Sequence, residues 1–107
     1  MKEPTSTEMR VIMEYLGACY RRAKRKTDIR RRCGSVREDD PVYRSDMNLI
    51  YMVERTLADC QASTRNIIQH DYLQVSDPEW YKVFYSDSVY FRNRKLAIKE
   101  YIEKLEM

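Results

Sequence analysis

A chain of 107 residues is long enough for one domain with a single core, but too short for two independently stable halves. Only two glycines and three prolines interrupt a sequence rich in Leu, Ile, Met, Tyr, Lys, Arg and Glu, which favours an all-α fold over a many-turned β-sheet. The net charge of +3 is the sum of a basic segment, which carries +8 between Arg21 and Arg37, and an acidic remainder of −5.

The first predicted helix runs from about Ser6 to about Lys26. Thr5 and Glu8 have the T-x-x-E spacing of a capping box. Apolar residues then recur at steps of three and four: Met9, Ile12, Met13, Leu16, Cys19, Tyr20 and Ala23. The following stretch, "TDIRRRCGSVREDDPVYRS", loses this periodicity and ends at a proline, so it predicts a linker with at most one helical turn around Ile29.

Two further helices are predicted to form a hairpin. Ser45 precedes an apolar stripe that indicates a second helix from near Asp46 to near Cys60. Ser63 is a suitable cap for a third helix, "TRNIIQHDYLQ", whose apolar face would pack against the second. We therefore divide the chain into residues 1–44, the first helix with a basic arm or linker, and residues 45–107, a helical domain.

The carboxy-terminal part predicts a short helix followed closely by a long one. Asp77 precedes a proline in the first helical position, so a fourth helix should run from Pro78 to about Phe84. After a break at 85–87, a fifth helix should run from about Ser88 to about Leu105. Its predicted inward stripe is Phe91, Ile98, Tyr101, Ile102 and Leu105, whereas Arg92, Lys95 and Lys99 recur on another face.

Two helices joined by about three residues, the second with a basic exposed face, are typical of a helix-turn-helix that reads the DNA major groove. The predicted DNA-contacting residues are Ser86, Asp87, Ser88, Val89, Tyr90, Arg92, Asn93, Arg94, Lys95 and Lys99. Arg92 suits a guanine and Asn93 an adenine, because their side chains can form two hydrogen bonds with these bases. The remaining cationic residues suit backbone phosphates.

The segment Asp77–Leu105 resembles the helix-turn-helix of sigma-factor region 4, and most closely the small ArpU-type sigma-like regulators of phages and wall-less bacteria. Those relatives have a short helix bearing Trp or Tyr, a "YYS-x-S" joint and a "YYR-x-R-K-x-A" run. The matching residues are Trp80, Tyr81, Tyr85, Ser86, Ser88, Tyr90, Phe91, Arg92, Arg94, Lys95 and Ala97. The resemblance covers about a quarter of the chain. It implies a DNA-binding transcription regulator, with RNA polymerase as a further partner, rather than a complete initiation factor.

The basic segment allows two interpretations. Clustered Arg and Lys side chains gain affinity for nucleic acid by releasing counterions, which would make the segment an arm that contacts phosphates. It could equally be a solvated helix end with a loop. The candidate phosphate contacts are Arg21, Arg22, Lys24, Arg25, Lys26, Arg30, Arg31 and Arg32.

No pattern in the sequence indicates an enzyme, a metal site or a cofactor. Cys19, Cys33 and Cys60 form no CxxC pair and have no zinc-type spacing with His70. A Gly-rich phosphate loop is absent. Because the chain also opens without an apolar signal or a membrane-spanning run, we expect a cytoplasmic protein that does not bind a membrane.

The leading hypothesis is therefore a sequence-specific regulator that binds double-stranded DNA. Two alternatives stay open: a protein-interaction module that binds RNA polymerase or another subunit, and an RNA-binding protein that uses the Arg-rich segment. The first helix carries Met9, Met13, Leu16 and Tyr20, which would either cover the rest of the bundle or form a homodimer.

Overall fold

The computed structural model describes residues 4–34 and 36–106, and within them the chain forms helices and turns without a β-strand. The α-helices are α1 (Ser6–Arg32), α2 (Pro41–Ala58), α3 (Ala62–Ile68) and α4 (Asp87–Leu105). A π-helical turn at Gln69–Leu73 continues α3, and a 3₁₀ helix at Trp80–Val83 precedes α4. The all-α prediction is confirmed. The prediction of five helices is wrong, because the described residues form four α-helices and one 3₁₀ turn.

The basic segment is largely helical, which corrects the predicted linker. The capping box is present: the Glu8 N–H donates to Thr5 Oγ1 at 3.1 Å and the Thr5 N–H donates to Glu8 Oε1 at 3.2 Å. At its other end, α1 continues six residues beyond Lys26. Two ion pairs hold this end of α1: Lys26 Nζ with Asp46 Oδ2 of α2 at 3.1 Å, and Arg30 Nη1 with Oδ2 of Asp40, the N-cap of α2, at 3.2 Å.

Both middle helices begin at other residues than predicted. Pro41 is the first residue of α2, and the side chain of Asp40 accepts the Val42 N–H at 2.9 Å. This hydrogen bond keeps the pKa of Asp40 below its usual range. Ser63 lies inside α3 and does not cap it. The helix instead follows Gln61, whose backbone N–H donates to Glu100 of α4 at 3.1 Å.

The core is shared by α1, α2, α3 and α4. The most deeply buried large side chains are Met13, Val53, Ile67, Ile68 and Tyr101. The Tyr101 hydroxyl donates to the Val53 carbonyl at 3.1 Å, so this polar atom is satisfied inside the core. The boundary proposed between residues 1–44 and 45–107 stays a prediction, and it falls within α2.

At Gly17, α1 crosses the π-helical turn at close range. A Cβ atom at this position would lie 3.1 Å from the carbonyl carbon of Tyr72 and still nearer to its oxygen. The same carbonyl oxygen accepts a hydrogen bond from the guanidinium of Arg21, one turn further along α1. The absent side chain of Gly17 therefore lets α1 pack against backbone, and Arg21 satisfies a carbonyl at the end of the turn.

The carboxy-terminal elements differ from the predicted pair in two respects. The fourth helix is wrong over Pro78–Phe84, because only a 3₁₀ turn forms there, although the Glu79 N–H does bond to Asp77 Oδ1 at 2.9 Å. Phe91 was expected to face inward, but it is 48% exposed and the adjacent Tyr90 is 4% exposed. Ile98, Tyr101 and Ile102 are buried as expected, and Leu105 is half-buried. The described helices include none with the length and apolar content needed to cross a membrane.

Buried tyrosines make the fold sensitive to alkali. Burial is the main cause that raises the pKa of Tyr20, Tyr72, Tyr90 and Tyr101, for Tyr72 to about 12. A raised pKa means that folding favours the neutral phenol, so this stabilisation is complete below the unfolded pKa of about 10 and is lost as pH rises through the folded pKa.

We therefore expect the free energy of unfolding to fall steadily above about pH 10. Urea unfolding followed by circular dichroism at a series of pH values would measure it. A Tyr72→Phe variant, which cannot ionise at that position, should lose less stability across this range than the wild type. A free energy of unfolding that stays constant to about pH 12 would contradict the burial of these phenols.

Candidate nucleic-acid interface

One carboxylate connects the three elements at the carboxy-terminal end of the chain. Asp71 lies on the π-helical turn, and its Oδ1 accepts a hydrogen bond from Trp80 Nε1 at 2.8 Å. Its Oδ2 accepts a hydrogen bond from the Tyr90 hydroxyl. We call Asp71, Trp80 and Tyr90 the Asp71 link. Since Trp80 belongs to the 3₁₀ helix and Tyr90 to α4, the link sets the angle between them relative to α3.

Stacked rings reinforce the Asp71 link. The ring of Trp80 stacks on His70 with centroids 4.2 Å apart, and the ring of Tyr81 stacks on Tyr90 with centroids 3.7 Å apart. The Tyr81 hydroxyl donates to Asp87 Oδ1 at 2.9 Å, and this bond is the first cause that raises the pKa of Tyr81. Aromatic packing of this kind restricts ring orientation, so side chains brace α4 although the bulky Phe84 and Tyr85 lie between it and the 3₁₀ helix.

The outward surface of α4 carries a stripe of polar and cationic side chains. Ser88, Arg92, Lys95 and Lys99 follow one another at steps of four, three and four residues, and all four are exposed. We call these residues the α4 face. Steps of three and four place side chains on one side of a helix. Among the described residues, no acidic side chain forms an ion pair with Arg92, Lys95 or Lys99, so their charges are available to an anionic partner.

The other residues predicted to contact DNA occupy different surroundings. Ser86 and Asp87 are exposed at the start of α4, and Val89 and Asn93 are half-buried along one edge of the α4 face. Tyr90 is buried within the Asp71 link, so it positions α4 and is not available to a base or a phosphate. Arg94 is half-buried, with its guanidinium carbon 5.7 Å from the Tyr90 ring centroid and 5.2 Å from that of Phe91.

The predicted auxiliary residues all lie on α1, but the fold uses half of them. Arg21 bonds to the carbonyl of Tyr72, and three others form ion pairs: Lys24 with Glu54, Lys26 with Asp46 and Arg30 with Asp40. The remaining four are exposed: Arg22, Arg25, Arg31 and Arg32. A groove of about 740 Å³ runs past Arg21, Arg22, Lys24 and Arg25 on one side and the amides of Gln69 and Gln74 on the other.

Sequence reasoning missed Arg10. This exposed residue of α1 lies beside α4, where it lines a depression of about 170 Å³ with Arg94 and Lys95. Arg10 precedes the basic segment and is distant in sequence from α4, so no local pattern could have indicated it. Only the packing of α1 across α4 brings the three cations together.

Comparison with protein families, curated proteins and solved structures finds no match to the chain. The resemblance of Asp77–Leu105 to sigma-factor region 4 therefore stays a prediction from sequence motifs. The α4 face and the Asp71 link are the observations from which a function can be inferred.

The chemistry available at this surface is that of anion binding. Arginine offers a planar fork of donors that matches a phosphate or a guanine edge, and lysine offers a mobile point charge. Ser88 adds a hydroxyl at the leading end of the stripe. Within the part of the chain that the structure describes, no three His, Cys, Asp or Glu side chains are grouped so that they could hold a metal ion.

Proposed function

We propose that this protein binds double-stranded DNA in a sequence-specific manner and regulates transcription, with α4 as the reading helix. The observation that carries the proposal is the exposed α4 face on a helix whose angle is fixed by the Asp71 link. An α-helix fits the width of the major groove, and a rigid helix loses less conformational entropy on binding than a mobile one.

The position of each side chain suggests its role. Ser88 and Arg92 lie nearer the leading end of α4, where a reading helix approaches base edges. Arg92 is the residue best suited to a guanine, because it is exposed and forms no ion pair among the described residues. Lys95 and Lys99 lie further along the stripe and suit backbone phosphates. Asn93 lies at the edge of the α4 face and suits an adenine there.

Replacing Arg92 with alanine should reduce sequence preference more than general affinity. A bidentate arginine–guanine pair contributes about 1–3 kcal/mol of discrimination, so the variant should lose roughly 5- to 150-fold in affinity for a selected site relative to random duplex. The measurement is selection of a preferred site from random duplexes, followed by fluorescence anisotropy on both DNAs.

Arg55 of α2 supplies the matched control for this variant. It is exposed, and it lies beside Tyr51, Asp59 and the carboxy-terminal end of α4 rather than its leading end. Arg55→Ala should therefore retain the sequence preference of the wild type. If Arg92→Ala also retained it, the α4 face would not be the reading surface.

A second candidate function, binding to a protein partner, is favoured by an exposed apolar patch on α1. Val11 is 57% exposed, Ile12 42% and Tyr15 74%. Clustered exposed apolar side chains often mark protein interfaces, so this patch would contact RNA polymerase, another subunit or a second copy of the chain. A complex that survives high salt, together with no duplex binding at low salt, would favour this function over DNA reading.

A further inference from the structure

Three cationic side chains from two helices meet beside the α4 face. The depression between α1 and α4 is lined by Ser6, Thr7, Met9, Arg10, Arg94, Lys95 and Ile98, with a volume of about 170 Å³. The guanidinium of Arg94 lies over the rings of Tyr90 and Phe91 and forms cation–π contacts with them. Arg10 and Lys95 form no ion pair with any described acidic residue. Like charges brought together repel one another, and a bound anion would relieve that repulsion.

The depression continues into a longer cationic track along α1. A neighbouring depression of about 330 Å³ shares Arg10 and Arg94 with it and extends to Arg21. Arg21 in turn borders the groove of about 740 Å³ that leads to Arg22 and Arg25. At 1.5 Å per residue, the track from Arg10 to Arg25 is about 22 Å long, which spans several phosphates of one DNA strand.

The two carboxylates that border the track lie in the neighbouring depression, not in the depression between α1 and α4. Asp71 and Glu14 both line the neighbouring depression. Both oxygens of Asp71 accept hydrogen bonds in the Asp71 link, whereas Glu14 is exposed and carries a charge that an anion would avoid. The depression that contains Arg10 and Lys95 has no described acidic residue in its lining. It is therefore the most favourable point of the track for an anion.

We infer that α1 lies along the sugar-phosphate backbone of the duplex that α4 reads, and that Arg10 and Lys95 hold a backbone phosphate at the junction of the two helices. This inference rests on the proposed function. Lys95 belongs to the α4 face as well as to the depression, so the two contacts are adjacent on one surface. The open and elongated shape of the track suits a polymeric phosphate better than a single small anion, which is usually enclosed by its site.

The test is an Arg10→Gln variant, with Arg55→Gln as its matched control. Loss of one phosphate contact should lower affinity for the selected site and for random duplex by the same factor, roughly 3- to 10-fold at about 0.1 M salt. The slope of log K against log salt should become shallower by about 0.9. Arg55→Gln should change neither quantity, and circular dichroism would establish that both variants fold.

The outcomes separate the inference from the proposed function. Suppose that the wild type binds duplex DNA and that Arg92→Ala alters its sequence preference. If Arg10→Gln then changes neither the affinity nor the salt slope, the inference about α1 is wrong, whereas the proposal that α4 is the reading helix is retained. An Arg10→Gln variant that altered sequence preference would also overturn it, because a phosphate contact carries no sequence information. Absence of duplex binding by the wild type would overturn both.

Discussion

Replacing Asp71 with alanine should lower the free energy of unfolding by about 3–6 kcal/mol and greatly weaken duplex binding. Two hydrogen bonds to the carboxylate are lost, and a hydrogen bond to a charged group contributes about 1.5–3 kcal/mol. The variant leaves Trp80 Nε1–H and the Tyr90 hydroxyl without their acceptor. Since Tyr90 is almost fully buried, its unsatisfied hydroxyl adds to the cost. The brace that sets the angle of α4 disappears at the same time.

Urea unfolding of Asp71→Ala can be followed through Trp80, the single tryptophan of the chain. Tyr90→Phe removes only one of the two bonds and should lose about 1–3 kcal/mol. Asp59→Ala is the matched control, because Asp59 is exposed at the end of α2 and its side chain forms no hydrogen bond with the described residues. A loss in Asp71→Ala no larger than in Asp59→Ala would contradict the Asp71 link.

Gly17→Ala should destabilise the protein by about 2–3 kcal/mol, although the same change within a helix usually stabilises by up to about 1 kcal/mol. The new Cβ would overlap the carbonyl of Tyr72, which is backbone and cannot move away by changing a rotamer. Relief would require α1 to shift from the π-helical turn, and that shift would strain the hydrogen bond from Arg21 to the same carbonyl. Chemical denaturation of the purified variant measures the sign and the size of the effect.

Gly34→Ala is the natural comparison, since Gly17 and Gly34 are the two glycines of the chain. No atom lies within 4 Å of a Cβ built on Gly34, but its φ of +67° is in the left-handed region. Its cost should therefore be limited to about 1–2 kcal/mol of backbone strain. A Gly17→Ala variant more stable than the wild type would show that α1 does not approach the turn so closely.

Local signals predicted several features of this fold. The capping box of Thr5 and Glu8 is encoded within four consecutive residues, and it forms. The hydrogen bond from the Glu79 N–H to Asp77 Oδ1 is equally local, although it caps no helix. The cationic stripe of α4 follows from helical periodicity over Arg92, Lys95 and Lys99, whose exposure is as expected. These features depend on neighbours in sequence, so tertiary packing did not alter them.

Features that depend on tertiary contacts were not predicted from the sequence. The polar stretch after Lys26 is helical because Thr27 is buried and because Asp40 and Asp46 of the next helix segment pair with α1. The sequence pattern predicts a linker up to Pro41, but this proline is the first residue of α2 and Asp40 is its cap. Tyr90 is buried in place of the adjacent Phe91, and its hydroxyl donates to Asp71. Phenylalanine has no hydroxyl and could not form this hydrogen bond.

The candidate interface was also predicted only in part. Its α4 face comes from a single helix, and its residues were predicted together. Arg10 joins them through the crossing of α1 and α4, which no local pattern encodes. The basic segment is also not a uniform arm, because acidic residues of α2 and its N-cap Asp40 neutralise part of its charge.

The central claim, that the α4 face binds duplex DNA, is tested most directly by fluorescence anisotropy with a random-sequence duplex across a salt series. The wild type should bind with a steep salt dependence and should prefer duplex DNA to a structured RNA competitor of equal length. In a variant with Arg92→Gln, Lys95→Gln and Lys99→Gln, the slope of log K against log salt should become shallower by about 2, because two phosphate contacts, those of Lys95 and Lys99, are lost. Absent binding, a preference for the RNA, or an unchanged slope in this variant would contradict the claim.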